Sequence, residues 1–365
     1  MTRESVVDRD WESTVERLGG ARELACSARE SRAFVRPREI DNAVDLLRIV
    51  LAYCLGKAGL RTTAAWAAAI GLADISNVAL LYRLRQCGDW MTLLIGRVLA
   101  SCAPGASRGR VIRIIDATAV AQAGPAARKH SKIWRIHSAF DLPGERFGHF
   151  ELTDQTEGER LDRIPVVAGE IRIADRAYMQ PDRIAVVLEA GADVLIRAGW
   201  KGARWLDAKG KPFDLLAQFR KAAQDGLIDR SIWIARTGAP ALEMRLVAVK
   251  KPEAAATQAR RQAKRDAQRE GRQLSGKTLV AADWVILLTS LTPDKFPTSD
   301  VLALYRLRWR IELAFKRLKS LVGLQRPPGF DPRSARPYLL AHLLMILLLE
   351  PLVDELEDSP RWAAA

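Results

Sequence analysis

Cysteine and histidine are scarce in this chain of 365 residues, which contains four of each. Four cysteines are too few for a disulfide scaffold. Their positions, at Cys26, Cys54, Cys87 and Cys102, do not give the paired spacing of a structural zinc site. The histidines show no metal-ligand spacing either. We therefore expect reduced, buried thiols, and we exclude a domain held together by disulfides or zinc.

Long apolar runs are also missing. The most apolar stretch, Tyr338 to Val353, is too short to span a bilayer and contains His342, Glu350 and Pro351. The first twenty residues are charged and have no apolar run of the kind that a secretory signal needs. The sequence thus predicts a buried helix near the C-terminus and no membrane partner.

Positive charge is what the chain has in excess. Lys and Arg number 57 against 43 Asp and Glu, which gives a formal net charge of +14, and only 14 of the basic residues are Lys. A hydrophobic content of 48% is enough to bury a core, so we do not expect a disordered protein. The excess charge favours a polyanionic partner, although a GC-rich genome would also raise the Arg content.

Changes in sequence pattern divide the chain into four segments. Helical periodicity dominates residues 1–103, and strand patterns that alternate with helices dominate residues 104–199. Residues 200–297 are rich in strand patterns, and residues 298–365 return to helices. We interpret these segments as an N-terminal helical, DNA-binding domain, the first part of an α/β core, a β-rich insertion subdomain, and the second part of the core with a C-terminal helix.

The N-terminal segment contains a pattern similar to a helix-turn-helix. Residues 62–63 are candidate caps of a helix that ends at Gly71, and Asp74 or Ser76 is a candidate cap of the next helix. Asn77, however, lies where such a motif normally has an apolar residue. An ordinary helical hairpin explains the segment equally well.

Two strand patterns in the core end at an aspartate. Residues 110–116 alternate apolar side chains and end in Asp-Ala-Thr, and residues 170–175 repeat this pattern up to a second Asp. Two further strands, over residues 132–140 and 146–152, follow the first and predict an antiparallel meander. Together with the helices that follow, these strands predict a mixed α/β sheet.

The β-rich segment contains three clear strand patterns, over Ser231–Arg236, Leu242–Lys250 and Trp284–Leu291. Between them, Pro252–Gln273 predicts a charged helix with six basic and three acidic residues. We expect an inserted subdomain rather than a continuation of the sheet. The charged helix is compatible both with a surface that follows DNA and with an exposed arm.

A long helix is predicted over Ser299–Val322, and several of its polar residues share one face. At about 100° per residue, five of them fall within a stripe about 80° wide, apart from the apolar face. The five are Tyr305, Arg308, Glu312, Lys316 and Lys319. One carboxylate among four residues suited to DNA binding is unusual for a solvated face. Ion pairs of Glu312 with Arg308 and Lys316, each four residues away, also explain the pattern.

Asp116, Asp175 and Glu312 are candidate metal ligands. If the two strands are neighbours, both aspartates lie at one edge of the sheet, and a helix packed on the sheet brings Glu312 there. Three carboxylates suit a pair of Mg²⁺ ions, which lie about 3.5–4 Å apart in such sites and promote phosphodiester cleavage or strand transfer. Aspartates at strand ends also occur as helix caps, so the spacing alone does not distinguish a metal site from two helix caps.

The series Tyr305-x2-Arg308-x3-Glu312-x6-Lys319 resembles the YREK signature of DDE transposases of the insertion-sequence-four family. The surrounding YRLRWRIELAFKRLK also resembles the third catalytic segment of that family.

The first two catalytic segments of the family also have counterparts here. Asp116 in IIDAT resembles the first segment, and Asp175 in IADRAY, 59 residues later, resembles the second. The interval of 137 residues from Asp175 to Glu312 fits the β-rich insertion that this family carries at that place. The resemblance covers about residues 105–350.

The resemblance implies a mixed RNase H-like sheet flanked by helices, and cut-and-paste DNA transposition. It implies that Asp116, Asp175 and Glu312 bind two Mg²⁺ ions per active site, for which Mn²⁺ substitutes. In relatives, cleavage passes through a DNA hairpin at the transposon end. The partners would be double-stranded DNA with terminal inverted repeats and target DNA, bound by a homodimer in the bacterial cytoplasm, at the nucleoid.

DNA-contacting residues follow from the same resemblance. Tyr305, Arg308 and Lys319 would contact DNA near the transposon end, with Lys316 beside them. Trp284, in WVILLTS, matches the position of a tryptophan on which a flipped base stacks. The alternative for Trp284 is an ordinary place in the core of a strand.

Two other functions stay open on the sequence: a sequence-specific DNA-binding protein without chemistry, and a structure-specific nuclease on the same core. The distribution of charge favours a site that binds phosphates. Residues 301–326 contain seven basic residues and one acid, Glu312, and residues 104–137 contain seven and one acid, Asp116.

Overall fold

A computed structural model gives the fold of the protein. It describes residues 6–101, 110–123, 133–142, 144–329 and 331–357.

Helices fill the described part of the N-terminal segment. They are α1 (Val6–Arg17), α2 (Gly20–Glu30), α3 (Ala43–Leu55), α4 (Leu60–Ala69), α5 (Asn77–Gln86) and α6 (Gly88–Ser101). Ser76 caps α5, because its hydroxyl accepts a hydrogen bond from the Ala79 amide at 3.1 Å. The predicted cap at residues 62–63 is wrong, since α4 begins at Leu60 and contains them. Gly71 follows α4 with a φ of 74°, a conformation that ends a helix and suits glycine.

The described strands form one mixed sheet. They are β1 (Ile112–Ala121), β2 (Ile133–Leu142), β3 (Arg146–Asp154), β4 (Ile171–Ala174), β5 (Asp193–Arg197), β6 (Trp205–Leu206), β7 (Leu227–Ile234), β8 (Leu242–Lys250) and β9 (Trp284–Thr289). Their order is β3-β2-β1-β4-β5-β9-β8-β7-β6. Strands β1, β4 and β5 are parallel, and β2 and β3 pair antiparallel beyond β1. This half of the sheet confirms the predicted mixed sheet and has the RNase H-like arrangement.

The strands of the β-rich segment extend the same sheet. β9 pairs antiparallel with β5, and β8, β7 and β6 follow in turn. The expectation that this segment does not continue the sheet is therefore wrong. The physical reason is that β9 satisfies the backbone donors and acceptors along the open edge of β5, which would otherwise be unpaired.

The remaining described helices pack around the sheet. They are α7 (Pro181–Glu189), α8 (Leu215–Lys221), α9 (Glu253–Arg269), α10 (Gly276–Ala282), α11 (Thr298–Arg306), α12 (Trp309–Ser320) and α13 (Pro332–Glu357). The single helix predicted over residues 299–322 is wrong, because it is divided into α11 and α12. The amides of Leu307 and Arg308 donate to carbonyls three residues earlier, which tightens the chain there. Val301 of α11 and Ile311 of α12 are both fully buried.

Two apolar clusters hold these layers together. One joins the N-terminal helices, α12 and α13 to the sheet, and includes Ile114 and Phe315. The other includes Ile115 and lies against α7, α8 and α10. Because successive residues of a strand point to opposite faces, Ile114 and Ile115 mark the two faces of the sheet. Among the described helices, none combines the length and the unbroken apolar sequence that a membrane span requires.

Candidate active site

The register of the parallel strands places Asp116 beside Asp175. The pairing of β1 with β4 ends where Ile115 lies opposite Ala174. Asp116 and Asp175 are the next residues on each strand, and Arg197 of β5 follows in the same row. The carboxyl ends of parallel strands in an open α/β sheet are the usual place for a ligand. This edge carries two carboxylates and one guanidinium side by side.

The two aspartates are held by different local structure. β4 stops at Ala174, and Asp175 then accepts a hydrogen bond from the Ala177 amide at 2.9 Å, which caps a short 3-10 turn. β1, in contrast, continues past Asp116 to Ala121, because β2 still pairs with it there. The prediction that the first strand ends at Asp116 is therefore wrong. The pairing of β1 with β4, however, ends at the preceding residue, Ile115.

The environment of Asp116 disfavours its negative charge. The pKa of Asp116 is raised to about 6, mainly by burial and in smaller part by the charges of Asp175 and Glu159. The hydrogen bond that Oδ1 accepts from the Ala117 amide, at 2.8 Å, and the charge of Arg308 oppose this rise. A carboxylate in this state gains stability from a nearby cation.

Glu312 lies in the first turn of α12 and forms an ion pair with Arg308. The Glu312 side chain is 57% exposed, whereas that of Arg308 is 18% exposed. Arg308 also interacts electrostatically with Asp116. The Arg308 guanidinium therefore links Glu312 to the row of aspartates. The ion pair between Arg308 and Glu312, which the sequence analysis gave as an alternative, is present.

Two exposed lysines follow Glu312 on the same face of α12. Lys316 and Lys319 lie four and seven residues after Glu312, and both are exposed. Tyr305 lies on α11, near its end, and its hydroxyl is buried. Burial also raises the pKa of Tyr305, against the charges of Arg308 and Arg197. The polar stripe predicted for one helix is thus built from two helices.

Several residues at this edge were not identified from the sequence. Tyr178 is buried, and burial together with the charges of Asp116, Glu159 and Asp175 raises its pKa. Its position three residues after Asp175 is the sequence feature that could have placed it near the site. Arg197 and Glu159 gave no local signal, because only strand pairing and the loop after β3 bring them here.

Trp284 begins β9 and is only 5% exposed. Its ring stacks on Phe219, with the ring centres 4.9 Å apart and the planes inclined by 11°. Trp284 also borders a cavity of about 360 Å³, together with Arg176, Arg197 and Lys251. The structure thus gives Trp284 a place in the core and a side that faces a cationic cavity next to Asp175.

A second cavity, of about 410 Å³, lies between the sheet and the two helices of the polar stripe. Its wall includes Tyr305 and Arg308. Arg197 and Lys251 border both cavities, so the two are neighbours. The cationic side chains of Arg197 and Lys251 therefore lie between Arg308, in the polar stripe, and the cavity beside Trp284.

The donor set suits a hard divalent cation. Asp116 and Asp175 each use Oδ1 for a backbone amide, so that Oδ2 lies outside these hydrogen bonds. Within the described residues, no three His, Cys, Asp or Glu side chains are placed to hold a metal ion as they stand. The Glu312 carboxylate pairs with Arg308 instead. In addition, the buried hydroxyl of Tyr178 has no hydrogen-bond partner among the described groups, and the buried hydroxyl of Tyr305 interacts with the Arg308 guanidinium.

Comparison with known proteins gives consistent matches over this region. A family model described as "Transposase DDE domain" matches residues 107–348. The chain is 37% identical over 359 residues to "Putative transposase InsL for insertion sequence element IS186A" of Escherichia coli strain K12, with 96% of each chain covered. It is 37% identical over 360 residues to "Transposase for insertion sequence element IS421" of Escherichia coli, again with 96% of each covered. The family match includes Asp116, Asp175 and Glu312.

Proposed function

Because the chain belongs to the transposase DDE-domain family, we propose that it is the cut-and-paste transposase of an insertion sequence of the insertion-sequence-four type. Members of this family are metal-dependent enzymes that cleave DNA and transfer its strands, and this chain is one of them. The observation that carries the proposal is the row of Asp116 and Asp175 at the carboxyl edge of β1 and β4, to which Glu312 of α12 is connected through Arg308.

In this proposal, Asp116, Asp175 and Glu312 hold two Mg²⁺ ions per active site, and Mn²⁺ substitutes for Mg²⁺. Such ions, when bound, activate the attacking water or hydroxyl and stabilise the leaving oxygen of the phosphodiester. The two aspartates are oriented by the Ala117 and Ala177 amides, which fix their positions before any ligand arrives. Glu312 is exposed enough to exchange its ion pair for a place among the ligands.

The same exchange frees Arg308 for DNA. When the Glu312 side chain leaves this ion pair, the Arg308 guanidinium is free at the wall of the cavity that Tyr305 also borders. There it can bind a phosphate through two parallel hydrogen bonds. The Tyr305 hydroxyl, buried beside the Arg308 guanidinium, can donate a hydrogen bond to an oxygen of the same phosphate. Lys316 and Lys319 extend the positive face along α12. We assign DNA contacts at the transposon end to these four residues.

Cleavage through a hairpin requires the end of the transposon to bend sharply, with one base turned out of the stack. The cavity beside Trp284 is the place we assign to that base, because Arg176 directly follows Asp175 and also borders the cavity. The wall formed by Arg197 and Lys251 supplies positive charge for the adjoining phosphate. We propose that the flipped base stacks on the side of Trp284 that Phe219 does not cover.

Replacement of Trp284 tests this role. Trp284→Leu keeps an apolar side chain in the core but removes the stacking platform, so we expect hairpin formation to slow by roughly tenfold, within the range of about 1–3 kcal/mol per stacked base. Trp284→Phe, the matched control, retains most of the rate. The fluorescence of 2-aminopurine at the transposon end reports the flipped base directly. Equal rates and equal fluorescence in Trp284→Leu and wild type would contradict the assignment.

The other parts of the chain have proposed roles in the same reaction. The helical domain, residues 1–103, binds the terminal inverted repeats. Residues 104–199 and 298–365 form the catalytic core, and residues 200–297 form the insertion. A homodimer holds two transposon ends together with target DNA, in the bacterial cytoplasm at the nucleoid.

The proposal is tested with a duplex that carries the element's own terminal inverted repeats and flanking DNA. We expect cleavage at the repeat ends that depends on Mg²⁺ or Mn²⁺, followed by hairpin-ended products and their insertion into a target plasmid. Cleavage without preference for the repeat ends would support the nuclease alternative. Specific binding without cleavage in either metal would support the DNA-binding alternative.

A further inference from the structure

Tyr178 is the last residue of the short 3-10 turn that follows Asp175. Its amide donates a hydrogen bond to the Asp175 carbonyl at 3.2 Å, which holds the tyrosine next to the end of β4. The side chain is 1% exposed and belongs to the same apolar cluster as Ile115 and Ala174. These two residues directly precede Asp116 and Asp175. The ring of Tyr178 is therefore packed in the apolar layer next to the row of aspartates.

The loop after β3 is tied to the same turn. The side-chain amide of Gln180, two residues after the tyrosine, donates a hydrogen bond to the Glu159 carbonyl at 2.9 Å. Arg172 of β4 is fully buried and donates a hydrogen bond to the Leu161 carbonyl at 2.6 Å. Leu161 also belongs to the apolar cluster that contains Tyr178. These contacts keep the segment that carries Glu159 beside the turn.

The hydroxyl of Tyr178 is closed off from water and has no hydrogen-bond partner among the groups that the structure describes. A buried hydroxyl in this state costs free energy, because it has lost its hydrogen bonds to water. Burial raises the pKa of Tyr178, and so do the charges of Asp116, Glu159 and Asp175, so that the hydroxyl keeps its proton at neutral pH. It is therefore a donor without an acceptor, and three carboxylates act on it through their charge.

Of these three carboxylates, that of Asp116 suits the hydroxyl best. Asp116 has the largest electrostatic effect on Tyr178. Glu159 is already paired with Arg135, with 3.4 Å between Oε1 and Nε. Oδ1 of Asp116 accepts a backbone amide, and Oδ2 lies outside that hydrogen bond. A carboxylate that binds a metal ion is usually oriented by a further hydrogen bond from a neighbouring group.

We propose that Tyr178 is a positioning residue, whose hydroxyl donates a hydrogen bond to the Asp116 carboxylate and holds it in the orientation that binds a divalent ion. This inference rests on the proposed function, because it takes Asp116 to be a metal ligand. Loss of such a partner weakens metal binding or activity by about 10- to 100-fold. Folding of the metal-free protein does not depend on the hydroxyl, since the hydroxyl is unpaired there.

Tyr178→Phe removes only this hydroxyl. In EDTA, we expect the midpoint of thermal unfolding to be unchanged or higher, because the variant no longer buries an unpaired polar group. Mn²⁺ binding, measured by electron paramagnetic resonance without DNA, should weaken by about 10- to 100-fold. Single-turnover cleavage of the terminal-repeat duplex should need correspondingly more Mg²⁺, while binding of the same duplex in EDTA stays the same.

Tyr53→Phe is the matched control, because it removes the hydroxyl of another buried tyrosine, in α3. It should leave Mn²⁺ binding and the Mg²⁺ requirement unchanged. If Tyr178→Phe matches wild type in both, the positioning role is wrong, and cleavage by wild type would still support the proposed function. If wild type binds Mn²⁺ more tightly than Tyr178→Phe but does not cleave, the positioning role stands and the proposed function fails. A lower unfolding midpoint of Tyr178→Phe in EDTA, with unchanged metal dependence, would show a merely structural role.

A double-mutant cycle with Glu159→Gln identifies the acceptor. If the hydroxyl acts through Asp116, Tyr178→Phe should weaken Mn²⁺ binding by the same factor in the wild-type and Glu159→Gln backgrounds, because the effects of independent groups add. If Tyr178→Phe has no further effect in the Glu159→Gln background, the acceptor is Glu159 and the proposal is overturned.

Discussion

Asp116→Asn, Asp175→Asn and Glu312→Gln should each lower metal-dependent cleavage of terminal-repeat DNA by about a thousandfold or more. Each change removes one of the three proposed anionic ligands while keeping the shape of the side chain. A bound divalent ion supplies several kcal/mol of transition-state stabilisation, and each 1.36 kcal/mol is tenfold in rate, so its loss gives an effect of about this size. Single-turnover cleavage in Mg²⁺ measures it.

DNA binding should respond in the opposite direction. Removing a negative charge next to Arg197 and Arg308 leaves the site more positive, so affinity for the same duplex in EDTA should be unchanged or higher. This separates loss of chemistry from loss of folding. Glu243→Gln, an exposed carboxylate change on β8, is the matched control and should cleave like wild type. Cleavage at the wild-type rate by Asp116→Asn or Glu312→Gln would show that these side chains are not the ligands.

Asp116→Asn should also make the metal-free protein more stable at neutral pH. The pKa of Asp116 is raised from 3.8 to about 6 in the folded protein. A carboxyl with a raised pKa favours the folded state below about pH 4, where it is protonated in both states, and loses this contribution as the pH rises through 6. Ionised Asp116 therefore costs stability at pH 7.5. Because a shift of one unit corresponds to 1.36 kcal/mol, the cost is about 2–3 kcal/mol.

The measurement is thermal or urea unfolding of wild type and Asp116→Asn in EDTA at several pH values. The advantage of the variant should be small at pH 4, grow between pH 4 and 6, and stay constant above pH 7. Other titrating groups, such as His137, are common to both proteins and do not contribute to the difference. Addition of Mg²⁺ at pH 7.5 should stabilise wild type more than the variant, since a cation bound by the folded state favours it. An advantage that does not change with pH would contradict the raised pKa.

Local patterns predicted many elements well. The strand over Leu242–Lys250 matches β8, because a run of apolar residues marks a strand buried on both faces. The charged helix agrees with α9, and the C-terminal helix with α13. The Arg308–Glu312 ion pair could also be predicted from the sequence, because residues four apart on a helix are neighbours independently of the tertiary structure.

Predictions that depended on distant segments were wrong or incomplete. The β-rich segment extends the sheet because β5 has an edge that β9 can pair with, and periodicity within the segment contains no information about that edge. β1 runs past Asp116 because β2 continues beside it. The break between α11 and α12 contains neither Pro nor Gly, so no local sequence feature predicted it.

By itself, the sequence determined the mixed α/β class, the scarcity of metal-binding Cys and His, and the three carboxylates with their basic neighbours. These features rest on residue type and on short spacing, which the chain fixes locally. Only the tertiary structure decided that Asp116, Asp175 and Arg197 share one row and that Trp284 stacks on Phe219. Strand register and helix packing join residues far apart in the chain, and their energies come from contacts that no single segment contains.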